Sequence, residues 1–284
     1  MVSSELPKNG AADSSRPIAF LVDAENAATY VKHEHLASLV KEMLAEASKY
    51  GPVIIRRMYG NWTSPTMASW KSVQEQFALK PIQQFAYVSG KNATDSALII
   101  EAMDMLHGGI VKGFCLVSSD SDFTGLATRI REGGLFVMVI GGPTTLPALR
   151  NACDVFVSYE NLLSEGQPTK PQKVSSKVEA VPVSSGSTPA VEGGPSVKSP
   201  TDALPILLKA LENTVDENGR AHLAELGNAA RRLDPGFDPR SYGMSKLVDL
   251  LASFRDQFVI ERPSGKGPGV VYVLRRSKAD GRTE

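Results

Sequence analysis

The chain has 284 residues, 42% hydrophobic and 22% charged, and its 31 basic and 31 acidic side chains cancel to zero net charge. This is enough apolar material for one large domain or two smaller ones, and no polybasic run is present, so any nucleic-acid binding has to come from local patches. The two cysteines, Cys115 and Cys153, sit in apolar stretches, which excludes a disulfide frame and a Cys-rich zinc site and fits a reducing compartment.

The first residues, 1–16, are polar and are expected to be disordered. Pro17 to Val22 is a continuous apolar run, as for a strand buried on both faces, and it ends in Asp23-Ala24-Glu25-Asn26. Leu36, Leu39, Val40, Met43, Leu44 and Ala47 recur at helical spacing until Gly51-Pro52 stops the helix. Val53 to Tyr59 reads as the second strand. A helix opened by Pro65 carries Met67, Trp70, Val73 and Phe77, Pro81 ends it, and Ile82 to Val88 reads as the third strand. After the polar loop Ser89 to Thr94, a helix starts at Asp95 and carries Leu98, Ile99, Ala102, Met103 and Leu106. Phe114 to Val117 is a fourth strand that breaks into Ser118-Ser119-Asp120-Ser121-Asp122-Phe123. A helix around Leu126 to Ile130, a strand Leu135 to Ile140, a short helix Leu146 to Ala152 and a strand Asp154 to Ser158 complete the series. Alternating strands and helices predict an α/β fold: a parallel sheet sandwiched by helices, with right-handed crossovers.

From 164 to 200 Pro, Ser, Gly, Val and Lys dominate without periodicity, which predicts a flexible linker. A second unit, 201–276, follows. Leu204, Leu207, Leu208 and Leu211 form one helical stripe. His222 to Leu233 forms another, with Leu223, Leu226, Ala230 and Leu233 inward, and Leu247, Leu250, Leu251 and Phe254 a third. Phe258 to Ile260 and Val270 to Leu274 flank a Gly/Pro-rich loop, so three helices and a hairpin predict a small winged helix. Residues 277–284 read as a disordered tail. No apolar run reaches membrane-spanning length and no signal-peptide core is present, so a cytoplasmic location without membrane contact is expected.

Aspartates follow three strands: Asp23 after the first, Asp95 after the third and its loop, Asp120 and Asp122 after the fourth. Taken singly, each reads as a helix cap, a turn residue or a first-turn acid. Together they occupy the carboxyl ends of strands, where open α/β sheets bind ligands, and the first and fourth strands of such a sheet can lie side by side. Four carboxylates in one pocket suit a hard divalent cation such as Mg²⁺ or Mn²⁺ and phosphodiester hydrolysis. Asn26 is a candidate contact to substrate or metal-bound water, Lys91 to a backbone phosphate and Ser119 to substrate, and Ser118 and Ser119 are candidate supports of the carboxylates. Glu25 reads as solvated, Glu101 and Asp104 as a polar helix face, Trp70 as core and Trp62 as a possible base-stacking ring. The four histidines are scattered, and no glycine-rich nucleotide loop is present.

Val22-Asp-Ala-Glu-Asn26, Gly90-Lys-Asn-Ala-Thr-Asp95 and Ser118-Ser-Asp-Ser-Asp-Phe123 resemble the NYN domain of the PIN-like nucleases, in its LabA-like branch. The resemblance covers 17–163 and implies a PIN-like fold and a Mg²⁺- or Mn²⁺-dependent ribonuclease. Its acidic site falls on Asp23, Asp95, Asp120 and Asp122, with Asn26 at the family's asparagine. Where many relatives carry a further aspartate on the helix after Asp95, this chain has Glu101, whose role is left open. Tyr242-Gly243, Lys246-Leu247, Leu250-Leu251 and the following hairpin resemble an OST-HTH, or LOTUS, domain, which implies RNA or protein binding by the second unit. Arg231, Arg232, Arg240, Lys246, Arg255, Lys266, Arg275 and Arg276 are candidate phosphate contacts, Lys266 foremost. The alternative reading is a non-catalytic RNA-binding adaptor. The sequence leaves the oligomeric state open.

Overall fold

The computed structural model describes residues 16–30, 33–84, 93–163, 198–262 and 270–276. The first unit runs β1 (Ile18–Asp23), α1 (Ala24–Ala28), α2 (Leu36–Ser48), β2 (Val53–Gly60), α3 (Trp70–Phe77), β3 (Lys80–Gln83), α4 (Ala93–Gly108) and β4 (Gly113–Val117). It continues with α5 (Thr124–Glu132), β5 (Phe136–Gly141), α6 (Pro147–Ala152), β6 (Val155–Ser158) and α7 (Tyr159–Leu163). The six strands form one sheet in the order β3-β2-β1-β4-β5-β6, every pair parallel. The first and fourth strands are therefore neighbours, with Phe20 opposite Cys115 and Val22 opposite Val117. Connections leave β1 toward β3 on one side and continue from β4 toward β6 on the other. The tips of β1 and β4 are thus the switch point at which such sheets open a crevice.

All of β1 is buried because both faces of the sheet are covered. Alternation sends Phe20 and Val22 to the face packed by Leu39, Met43 and Trp70 of α2 and α3. Ala19 and Leu21 go to the other face, against Leu98 of α4 and Leu126 and Ile130 of α5. Leu39 and Met43 are completely buried, and burial of such a side chain contributes about 1.5–3 kcal/mol. The third strand starts earlier than the sequence predicts. Ala78 turns the chain out of α3 in the left-handed region (φ 51°), and Pro81 then lies within β3 rather than ending the preceding helix. β3 is an edge strand, where a residue without an N–H is tolerated. Residues 85–88 of the predicted strand lie outside the described residues.

The second unit comprises α8 (Leu204–Glu212), β7 (Arg220–His222), α9 (Leu223–Leu233), α10 (Leu247–Ala252), β8 (Phe258–Glu261) and β9 (Tyr272–Arg275). The predicted hairpin is the larger part of a three-stranded antiparallel sheet, β7-β9-β8. His222, read as the start of a helix, ends β7, and its ring Nδ1 accepts the Ala224 N–H at 3.3 Å to cap α9. Leu233, expected inward, is the last residue of α9 and is 37% exposed, past the turns that pack.

The predicted linker lies, as far as residue 197, outside the described residues, and the described residues of the two units form a direct contact. Phe156 of the outer strand β6 donates its N–H to the Pro235 carbonyl (2.9 Å). Asn161 Nδ2 donates to Ser241 Oγ (2.9 Å). The Arg240 guanidinium donates to Asp238 (2.6 Å) and, across the interface, to Glu46 (3.2 Å). The Arg240 and Glu46 side chains are only 10% and 7% exposed. Among the described residues no helix is long and apolar enough to cross a membrane.

Candidate metal centre

The site is built from strand tips. β1, fixed by burial on both faces, ends at Asp23, whose side chain caps α1 by accepting the Asn26 N–H (3.1 Å). Its second carboxylate oxygen accepts the Ser118 hydroxyl (3.0 Å) at the tip of β4. Asp23 is 3% exposed. Burial pushes its carboxyl up from 3.8 to about 6, against the pull of these two hydrogen bonds and with the help of Glu25 and Asp120.

Ser118 acts in two directions, because its hydroxyl oxygen also accepts the Asp120 N–H (3.1 Å). One side chain thereby spaces Asp23 from the backbone of Asp120. Asp120 in turn caps the turn Ser121–Phe123 by accepting the Asp122 N–H (2.9 Å). Capping and clustering are therefore not alternatives here, since the cap is what fixes each carboxylate in place.

Asp95, in the first turn of α4, completes the group. One carboxylate oxygen from each of Asp95, Asp120 and Asp122 lies within 4.8 Å of the others. Asp95 is pushed up from 3.8 to about 6, first by burial and then by Asp23, Asp120, Asp122 and Glu25. Among the described residues no ion pair reaches Asp23, Asp95 or Asp120. An all-oxygen donor set under mutual repulsion fits a hard divalent cation, which would supply the missing positive charge. Asp23 is not one of this group of three but is coupled to it through charge and through Ser118.

Two residues expected to contact substrate have atoms occupied in the scaffold. Asn26 Oδ1 accepts the Ser119 N–H (2.9 Å), and Ser119 Oγ accepts the Gly142 N–H (2.7 Å). Together they tie the tips of β1, β4 and β5. Lys91 lies outside the described residues, as does Lys266. The β5 loop is braced by Arg150, which donates to the carbonyls of Thr145 (2.9 Å) and Pro143 (2.8 Å). Gly141 leaves no room for a side chain: a Cβ there would stand 2.5 Å from Thr145 Oγ1 and 2.9 Å from the Ser118 carbonyl oxygen.

Glu25, read as merely solvated, accepts the Asn61 N–H (2.7 Å) and so joins α1 to the tip of β2. It also adds negative charge to Asp23 and Asp95. The only signal for it was its place two residues after Asp23. Glu101 stands apart from the acidic group: it accepts from Arg57 (2.6 Å) and from the Tyr59 hydroxyl (2.6 Å), holding α4 to β2. Trp70 is fully buried, while Trp62 is half-buried with its indole N–H on the Ile82 carbonyl (3.0 Å). Of the candidate phosphate contacts, Arg240 is committed to Asp238 and Glu46, and Arg275 pairs with Glu212 (3.3 Å).

Comparison with known proteins places this geometry in context. The NYN domain model matches residues 17–162, and the OST-HTH/LOTUS domain model matches residues 196–270. No curated protein matches the chain. A protein of unknown function from Vibrio parahaemolyticus is similar at 22% identity, over 52% of this chain and 94% of its own, with a TM-score of 0.42. An uncharacterised protein from Nitrosomonas europaea is similar at 29% identity, over 37% of this chain and 100% of its own, with a TM-score of 0.26. The NYN match spans just over half of the sequence and holds the whole six-stranded sheet. The chain belongs to the NYN domain family, with an OST-HTH/LOTUS domain as its second unit.

Proposed function

We propose that the chain is a metal-dependent endoribonuclease whose LOTUS unit holds RNA. The observation that carries this reading is the approach of Asp95, Asp120 and Asp122 to within 4.8 Å on a nuclease-type fold. These three would hold Mg²⁺ or Mn²⁺ directly, and Asp23 would do so through its remaining lone pairs or a water. A cation bound there supplies Lewis-acid polarisation of a phosphoryl oxygen and lowers the pKa of a bound water.

The chain's own groups do the rest. Asp122, the most exposed of the three, accepts a hydrogen bond from the attacking water and aims it along the open side of the crevice. Ser118 holds Asp23 and Asp120 at fixed separation, and Asn26 and Ser119 keep the three strand tips in register. Rigid positioning of this kind is what oriented phosphoryl transfer requires. Lys91, four residues before Asp95 in the sequence, is the candidate phosphate contact. The four positions thus serve as ligands and water-orienting groups, while Asn26 and Ser119 act through position.

The test is cleavage of a panel of single-stranded and structured RNAs by the parent and by Asp120→Asn, with Mn²⁺, Mg²⁺ or EDTA. Cleavage by the parent alone, abolished by EDTA, is the expected result. Equal cleavage by Asp120→Asn overturns the reading. RNA bound but left uncut by the parent under every condition would instead support a non-catalytic RNA-binding adaptor.

A further inference from the structure

The contact between the two units encloses a second charged site at the other end of the sheet. A cavity of about 210 Å³ is lined from the NYN side by Glu46, Lys49 and Tyr50 and from the LOTUS side by Arg231, Asp238, Arg240 and Lys246. Lys49 and Tyr50 lie just before Val53, where β2 begins, so this cleft is at the end of the sheet where strands start. The aspartates lie where strands finish.

The charges in the cleft do not balance. Glu46 accepts from Lys49 (2.8 Å) and Arg240 (3.2 Å), and Asp238 accepts from Arg240 (2.6 Å). Both carboxylates are thus already answered. Arg231 and Lys246 have no hydrogen-bonding or ion-pair partner for their side chains among the described residues, and Arg231 is half-buried. A half-buried guanidinium has lost part of its hydration and gains charge-assisted hydrogen bonds when a ligand supplies an anion. Four cationic side chains facing two carboxylates leave two positive charges, which match the two negative charges of a phosphate monoester dianion. Pockets for whole drug-sized ligands begin near ~300 Å³, so the smaller volume suits a phosphate with part of its sugar.

We propose that this inter-unit cleft binds the phosphate monoester of a nucleotide or of an RNA end, with Arg231 and Lys246 as its cationic contacts. Because the cleft draws on both units, an occupied site also holds them together. This site is separate from the acidic crevice and its proposal does not depend on cleavage.

The experiment is calorimetric titration of the full chain in EDTA with inorganic phosphate, with adenosine 5′-monophosphate, and with a short RNA carrying a 5′-phosphate or a 5′-hydroxyl. The expected result is binding of phosphate and of the phosphorylated probes, weakened about tenfold or more in Arg231→Gln/Lys246→Gln. Asp120→Asn should bind phosphate as the parent does, which separates this test from the fate of the nuclease reading. Preference for the 5′-phosphorylated RNA over the mononucleotide identifies an RNA end as the source, and equal affinity identifies a free nucleotide. Circular dichroism melts report folding of the double variant. The charge reversal Lys246→Glu, at an exposed position, serves as the second variant. No phosphate binding by the parent at millimolar concentration, or binding unchanged in both variants, overturns the proposal.

Discussion

The two ends of the sheet treat carboxylates in opposite ways. Where β1 and β4 finish, carboxylate faces carboxylate, and Asp23 and Asp95 are both driven up to about 6. Where β2 and β6 begin, Glu46 and Asp238 face Arg240 and Lys49. The fold leaves its carboxylates in conflict at one end and answers them with cations at the other. The difference separates carboxylates that call for a cation from carboxylates that join two units.

The largest expected effect is at the conflicted end. Asp120→Asn should lower RNA cleavage by about 10³-fold or more, roughly 4 kcal/mol in transition-state terms, while circular dichroism shows the fold retained. Loss of folding together with activity would show that the cluster is structural. At the resolved end, removing Arg240 leaves Glu46 buried with only Lys49 beside it. Arg240→Ala should cost about 3 kcal/mol, read as faster hydrogen exchange at the Phe156 amide and a lower melting temperature. Unchanged exchange would mean that the ion pair does not hold the contact.

Ser118→Ala removes the group that spaces Asp23 from Asp120. It should weaken Mn²⁺ affinity about 10–100-fold, the usual scale for a residue that orients ligands, measured by calorimetry. Unaltered affinity would free Asp23 from any part in metal binding. The smallest effect is the pH dependence of stability without metal. Asp23 and Asp95 hold their protons more tightly folded than unfolded, at about 6 against 3.8. The folded state therefore binds more protons between these values, and the contribution to stability falls as pH rises through that window. In EDTA, Asp23→Asn should melt higher than the parent at about pH 7, by a margin that narrows as pH falls and closes below 3.8. For the parent, Mn²⁺ should raise the melting temperature at the higher pH and have little effect at the lower.

The conflicted end was the more legible in the sequence. An apolar run such as Phe114 to Val117 breaking into Asp120 and Asp122 announces a strand tip locally, and β1 gives the same signal at Asp23. The stripe from Leu36 to Ala47 likewise predicted the buried face of α2. The resolved end was illegible because its meaning lies in partners far apart in the chain. Glu46 looks like a solvent-facing helix residue, yet it is buried against Arg240 from the second unit. Asn26 and Glu25 were noticed beside Asp23, but their partners, Ser119 and Asn61, belong to other strands' tips. β7 was missed because three residues are too few to show alternation, and only pairing with β9 makes Arg220–His222 a strand.

The hydrogen bond from Phe156 to Pro235 bears on how the chain is made. β6 has a sheet neighbour, β5, on one side only. During synthesis domains emerge amino-terminal first, so the NYN sheet is complete before the residue that covers its outer edge has left the ribosome. An open strand edge is a template for pairing with another copy. A chain stopped within 164–197 should therefore fold its sheet and then stick to its own copies. In this reading the LOTUS unit is, for the newborn NYN unit, a built-in chaperone for one strand.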